Sequence, residues 1–208
     1  KDLEIALKAM SVENYDDPWW TPIPFSFPIP EKKVALLTKI EGLKIDPVII
    51  KELKIVARKL EESGWVVEEP KAPNFQEAAN YQATLWLGEF RRTGGEAVSR
   101  ENDPDANFIY SQMCRRCPDT SIEKFMDSLQ HRARISREWN KFFDQYPIIL
   151  CPITGDIPFP DLKDLESEES FDLVFDSMLP LIAPPYMGLP GLSFATSQTK
   201  QKIPLGVQ

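Results

Sequence analysis

Apolar residues fall along the chain with two different periods. Ile49, Leu53, Val56, Ala57 and Leu60 recur every three or four positions and predict one stripe of an amphipathic helix. Asp46 suits its N-cap, Pro47 its first turn and Gly64 its end. The unbroken apolar runs on either side, Val34–Leu37 and Trp65–Val67, read as strands. A helix between two strands makes a crossover long enough for parallel pairing. Its first turn carries no glycine-rich phosphate loop, so no nucleotide site is read into it.

The same punctuation marks the remaining elements. Residues 1–10 predict a helix with Leu3, Ile5, Ala6 and Met10 as its apolar set. Asn74 with Glu77 opens a helix to about Arg91, ended by Gly94-Gly95. Asp103-Pro104 opens a shorter one, stopped before Pro118. Thr120 and Glu123 form a capping box for the longest helix, which runs to about Asp144 and is closed by Pro147. Ile148–Ile153 reads as a central strand, Phe171–Leu179 as a helix, and 192–196 and 204–207 as the last two strands. The acidic run 161–170 reads as a solvated loop or helix start. Residues 14–30 hold five prolines among two Trp and two Phe, and cannot be helical. They are expected to form an extended strap with buried aromatics; a proline-rich peptide ligand is the alternative. With no repeat and no clear linker, residues 1–208 read as a single α/β unit, a mixed β-sheet covered by helices.

Composition narrows the function classes. The 208 residues are 42% apolar and 27% charged, an ordinary globular balance. A net charge of −8 without a dense basic patch argues against nucleic acid or an anionic membrane as partner. No apolar run approaches the roughly 18 residues of a membrane span. No signal peptide is visible in the charged opening KDLEIALKAM, and Lys1 in place of Met suggests a start inside a longer gene product. Three cysteines favour a reducing cytoplasm over a disulfide framework.

Chemistry-bearing motifs are sparse. Cys114-Arg-Arg-Cys117 has the spacing of a redox or zinc half-site, but only Cys151 and His131 remain to complete a zinc site. Two unrelated thiols is the plainer reading. His131 is the only histidine, lies in mid-helix and has no G-x-S-x-G elbow to serve, so a serine–histidine triad is not expected.

Four ordered segments nevertheless resemble the amidase signature family: KDLEIALKAM; DDPWWTPIPF with KKVALL and ESGWVVEE; RARISREWNKFFDQYPIILCPIT with IPFP; and GLPGLSF with IPLGVQ. They cover nearly the whole chain in the family's order. The resemblance implies hydrolysis of carboxylic amides by a serine, a second serine in a cis peptide, and a lysine. No Gly/Ser-rich stretch that would carry them is present, so no catalytic residue is assigned here and the chain resembles the C-terminal part of the amidase signature fold. It also implies no cofactor or metal. The expected partners are a small-molecule amide substrate and the missing N-terminal catalytic half, with a homodimer as a further option. By position, the acyl group would be approached by Ile153 and Thr154 after the IILCPI strand, and by Met178, Ile182, Pro185 and Tyr186 before GLP; plain core is the alternative for Met178 and Ile182. Two departures stand out. Pro185-Tyr186-Met187 precedes the GLP where the family often has Asn and Thr, and Ser193–Ser197 replaces a common S-x-P-x-G. They leave a non-catalytic binding or scaffold subunit as the second reading.

Overall fold

The computed structural model describes residues 2–24 and 31–208, in two compact units, 1–31 and 32–208. The first contains helix α1 (Asp2–Met10), tied by a Glu4–Lys8 pair at 2.8 Å, with every described residue exposed. After it, Asn14 and Asp17 each accept from the N–H two residues on, so the chain turns locally instead of running as a strap. The expected burial of aromatics fails at Tyr15 and Trp19, which are exposed. Trp20 is partly covered and donates its indole N–H to the Ser11 carbonyl. The rest of the predicted strap, 25–30, lies outside the described residues.

In the second unit three short strands pair in parallel: β1 (Lys33–Leu36) in the middle, β2 (Val66–Glu68) on one side and β3 (Ile148–Leu150) on the other. The crossover from β1 to β2 is α2 (Pro47–Glu62), capped by the Asp46 carboxylate on the Val48 N–H at 2.7 Å. Residues on β1 alternate between two cores. Val34 and Leu36 pack with Ile49, Leu53 and Val56 of α2, whereas Ala35 joins the larger cluster on the opposite face, with Leu37 just beyond the strand. That larger core is supplied by α3 (Phe75–Thr93), α6 (Ile122–Gln145) and α8 (Leu179–Met187). Burial on both faces explains why β1 reads as a continuous apolar run. An antiparallel ribbon, β4 (Phe194–Gln198) with β5 (Pro204–Val207), forms a separate two-stranded sheet, so the parallel and antiparallel pairings of the expected mixed sheet lie in two sheets.

Two local expectations shift, and a third gains a neighbour. Ser121, not Thr120, caps α6, accepting from the Lys124 N–H at 3.3 Å. α3 does end at the glycine pair, with Gly94 as its C-cap, but a further helix α4 (Gly95–Glu101) starts at once, followed by α5 (Pro104–Arg116), capped by Asp103. The helix expected over Phe171–Leu179 is α7 (Glu168–Ser177), and the proline-rich stretch after it is the further helix α8. Pro184 has no N–H for the Pro180 carbonyl four residues back; the Gln208 side chain donates to that carbonyl at 3.1 Å. No helix among the described residues is long and apolar enough to cross a membrane.

Candidate substrate-binding cavities

The turn after β3 carries Ile153 and Thr154 and is held by its own backbone. The Gly155 N–H donates to the Ser177 carbonyl at 2.7 Å, and the Gly155 carbonyl accepts from the Asp46 N–H at 2.8 Å. The turn therefore joins the start of α2 to the end of α7. A Cβ on Gly155 would meet the Lys44 carbonyl at 2.4 Å, so only glycine fits this approach. Within the turn, the Thr154 hydroxyl donates to the Asp156 carbonyl at 2.8 Å, and the Asp156 carboxylate accepts from the Ile157 N–H at 2.9 Å.

Met178 links α7 to α8. Its N–H donates to the Phe175 carbonyl, and its own carbonyl accepts from Leu181 and Ile182 at 2.8 and 3.1 Å. Two cavities open beside it. One, of about 510 Å³, is walled by Ile153, Thr154 and Met178 together with Phe159 and Phe194. The other, of about 470 Å³, is walled by Met178, Ile182 and Pro185 together with Trp86 of α3, Met113 of α5 and Phe175 of α7. Among the described residues, Asp156 is the only charged side chain on the first lining and Asp164 the only one on the second. Five of the six residues singled out in the sequence thus divide between two apolar cavities that share Met178. Tyr186 lines neither: it is buried in the larger core, stacked at 5.7 Å on Tyr81, with its hydroxyl donating to the Ser128 carbonyl. Burial pushes that phenol up to about 12.

The second cavity adjoins a smaller, more polar cleft of about 340 Å³ that shares Trp86, Met113, Phe175 and Ile182 with it and adds Asn80, Thr84 and Lys124. Its wall is fixed by an ionic clamp between α5 and α7. Arg116 donates to Asp172 at 2.8 Å and to Asp176, and its guanidinium lies 4.6 Å from the centre of the Phe175 ring. Arg115 also donates to Asp172. These donors, Arg116 first, hold the Asp172 carboxyl below its ordinary range.

Sequence reading missed Trp86, Met113 and Phe175. A signal for one of them existed: Phe171, Val174, Phe175 and Met178 recur at helical spacing, so Phe175 shares its stripe with Met178. The remaining candidate groups do not assemble. Cys114 and Cys117 are free thiols at the end of α5, and Cys151 is buried after β3. His131 stacks on Tyr81 at 5.0 Å. Among the described residues no group of three His, Cys, Asp or Glu side chains is placed to hold a metal ion.

A protein-family model described as Amidase matches residues 1–208. The chain is 27% identical over 210 residues to an indoleacetamide hydrolase of Bradyrhizobium diazoefficiens, covering 100% of this chain and 40% of that protein. It is 26% identical to an indoleacetamide hydrolase of Bradyrhizobium japonicum, covering 45% of it. The chain thus spans less than half the length of these curated relatives. Among solved structures, a 6-aminohexanoate cyclic dimer hydrolase superposes with a TM-score of 0.74 at 13% identity, over 99% of this chain and 48% of that one. Fatty acid amide hydrolase superposes with a TM-score of 0.60 at 15% identity, over 90% and 38%. At such identities these structures establish likeness of fold.

Proposed function

The chain belongs to the amidase family, and from that premise we propose that it is the C-terminal portion of a hydrolase that cleaves a carboxylic amide C–N bond through an acyl-serine intermediate. Residues 1–208 count as one portion of that domain, and its part in the reaction is to wall the pocket for the acyl group. The observation that carries this reading is the convergence of Ile153, Thr154, Met178, Ile182 and Pro185 on two adjoining apolar cavities in a chain matched along its whole length by the family model.

The division of labour follows from the chemistry. An amide carbonyl is a weak electrophile, so the attacking hydroxyl must lose its proton as it adds. A lysine kept neutral by burial takes that proton through a second serine. Backbone N–H groups stabilise the tetrahedral oxyanion. The C–N bond then breaks, the amine leaves with a proton, and water hydrolyses the acyl ester to the carboxylic acid. The serines and lysine belong to polypeptide outside these 208 residues. The cavities described here add apolar surface and exclude water, and they favour an uncharged, aromatic or aliphatic acyl group. The relatives named for indoleacetamide hydrolysis suggest aryl acetamides as first substrates.

Ammonia release from indoleacetamide, phenylacetamide and short alkanamides by the complete gene product tests this reading. Turnover, with the acyl group trapped on a serine by mass spectrometry, is the expected result. No release from any of these amides overturns it. The 208-residue chain alone is expected to be inactive; turnover by this chain that is lost on His131→Ala would also overturn it.

A further inference from the structure

The two cavities have Val174 and Met178 in common, and both side chains are half-buried. The Met178 backbone is fixed by hydrogen bonds at the junction of α7 and α8, while its unbranched thioether keeps three rotatable bonds. On one side lie Ile153 and Phe194, and on the other Trp86 and Met113. We propose that Met178 is the partition between two compartments of a single acyl-binding site, and that it sets the length of uncharged chain the protein accepts. The proposal rests on the amide-hydrolase reading above for the identity of the ligand.

Three observations commit the site to this occupant. Each cavity has the volume of a small-molecule site, a range of about 300–1,000 Å³. Among the described residues, each lining has a single charged side chain, and both are carboxylates, which repel an anionic ligand. The carboxylate on the first lining already accepts a backbone N–H, and the remaining walls are dominated by aliphatic, aromatic and thioether groups whose return for binding is removal of hydrocarbon from water. A chain that fills one compartment must displace the Met178 side chain to enter the other. Alanine at this position removes three heavy atoms and opens the passage; phenylalanine closes it with a stiffer group.

The test is calorimetric titration of the complete gene product with n-alkanols from propanol to decanol. In the wild type, affinity is expected to rise about fourfold per added methylene until one compartment is full, and then to level off. Met178→Ala is expected to move the levelling-off to chains about two methylenes longer, and Met178→Phe to move it to shorter ones. Met178→Leu, which conserves volume, is expected to resemble the wild type. If the alanine variant does not fold, the phenylalanine variant still decides. A length limit unchanged in the folded variants, or a wild type that binds no alkanol, overturns the proposal. Amide turnover by the same wild-type protein is read separately. A Met178-dependent limit without turnover removes the hydrolase reading and leaves the partition standing, whereas turnover with an unmoved limit does the reverse.

Discussion

Burial pushes the Cys151 thiol up to about 11, with only a weak opposing contact from the Gln208 amide at 3.5 Å. A covered thiol that stays protonated reacts slowly, because the thiolate is the nucleophile. Brief treatment of the native protein with iodoacetamide at pH 8 is expected to label Cys114 and Cys117, which are half-buried, ahead of Cys151; peptide mass spectrometry showing Cys151 labelled first contradicts this. Asp172 gives a pH dependence of defined sign. Its folded value lies below the ordinary 3.8, so its contribution is fully present above that value and is lost as pH falls through the lower one. Asp172→Asn should therefore lower the urea midpoint at pH 7 and lessen the drop between pH 7 and pH 3; because the pair is partly exposed, the effect is at most about 1 kcal/mol. An undiminished acid drop in the variant sinks the assignment. Tyr186 separates pocket from core. Tyr186→Phe is expected to cost about 1 kcal/mol through the lost bond to Ser128, with KM unchanged; a raised KM would assign it to the substrate instead. The candidate site was half legible at this scale. Resemblance by position led to Ile153, Thr154, Met178, Ile182 and Pro185, all of which line a cavity. Trp86 and Met113 were hidden because they come from α3 and α5, distant in sequence and brought near only by the α5–α7 clamp and the packing of α3 on α8.

Helix ends were the most readable elements, since a cap is chemistry between residues two or three apart. Asp46, Asn74 and Asp103 each accept the N–H that their spacing predicts. At α6 two adjacent hydroxyl residues compete, and the Glu123 spacing pointed to the wrong one. Ser121→Ala should cost about 1 kcal/mol of stability in chemical denaturation, and Thr120→Ala close to nothing; equal costs would restore the sequence reading. Helix α8 could not be read locally. Its prolines forbid part of the internal ladder, and the Pro180 carbonyl is satisfied from Gln208, 28 residues away. For α4, the glycine pair marks the end of α3 as read but gives no sign that a new helix starts at Gly95, where a Cβ would meet the Tyr110 hydroxyl at 2.6 Å.

At the scale of the second unit, the strand–helix–strand order and the two-sided burial of β1 were carried by hydrophobic pattern, whereas the tie between the turn after β3 and α7 is a backbone contact that no pattern encodes. Gly155 makes that tie. Gly155→Ala is expected to cost about 1–3 kcal/mol by overpacking against the Lys44 carbonyl. In the complete protein it should also raise KM more than it lowers kcat, because the walls on both sides of the first cavity are set by this one turn. A variant of wild-type stability and KM would show that the turn yields at no cost. The larger core has a spectroscopic consequence as well. Trp139 is 1% exposed, its ring meets Phe75 edge-on at 4.8 Å, and its indole N–H finds no acceptor among the described residues. An indole in such surroundings emits at the short-wavelength end of the tryptophan range, while Trp19 and Trp86, open to water, emit further to the red. The blue edge of the fluorescence band thus reports the assembly of α3 and α6 on β1, and a red shift confined to that edge is the optical sign of water or a carbonyl reaching the centre of the fold.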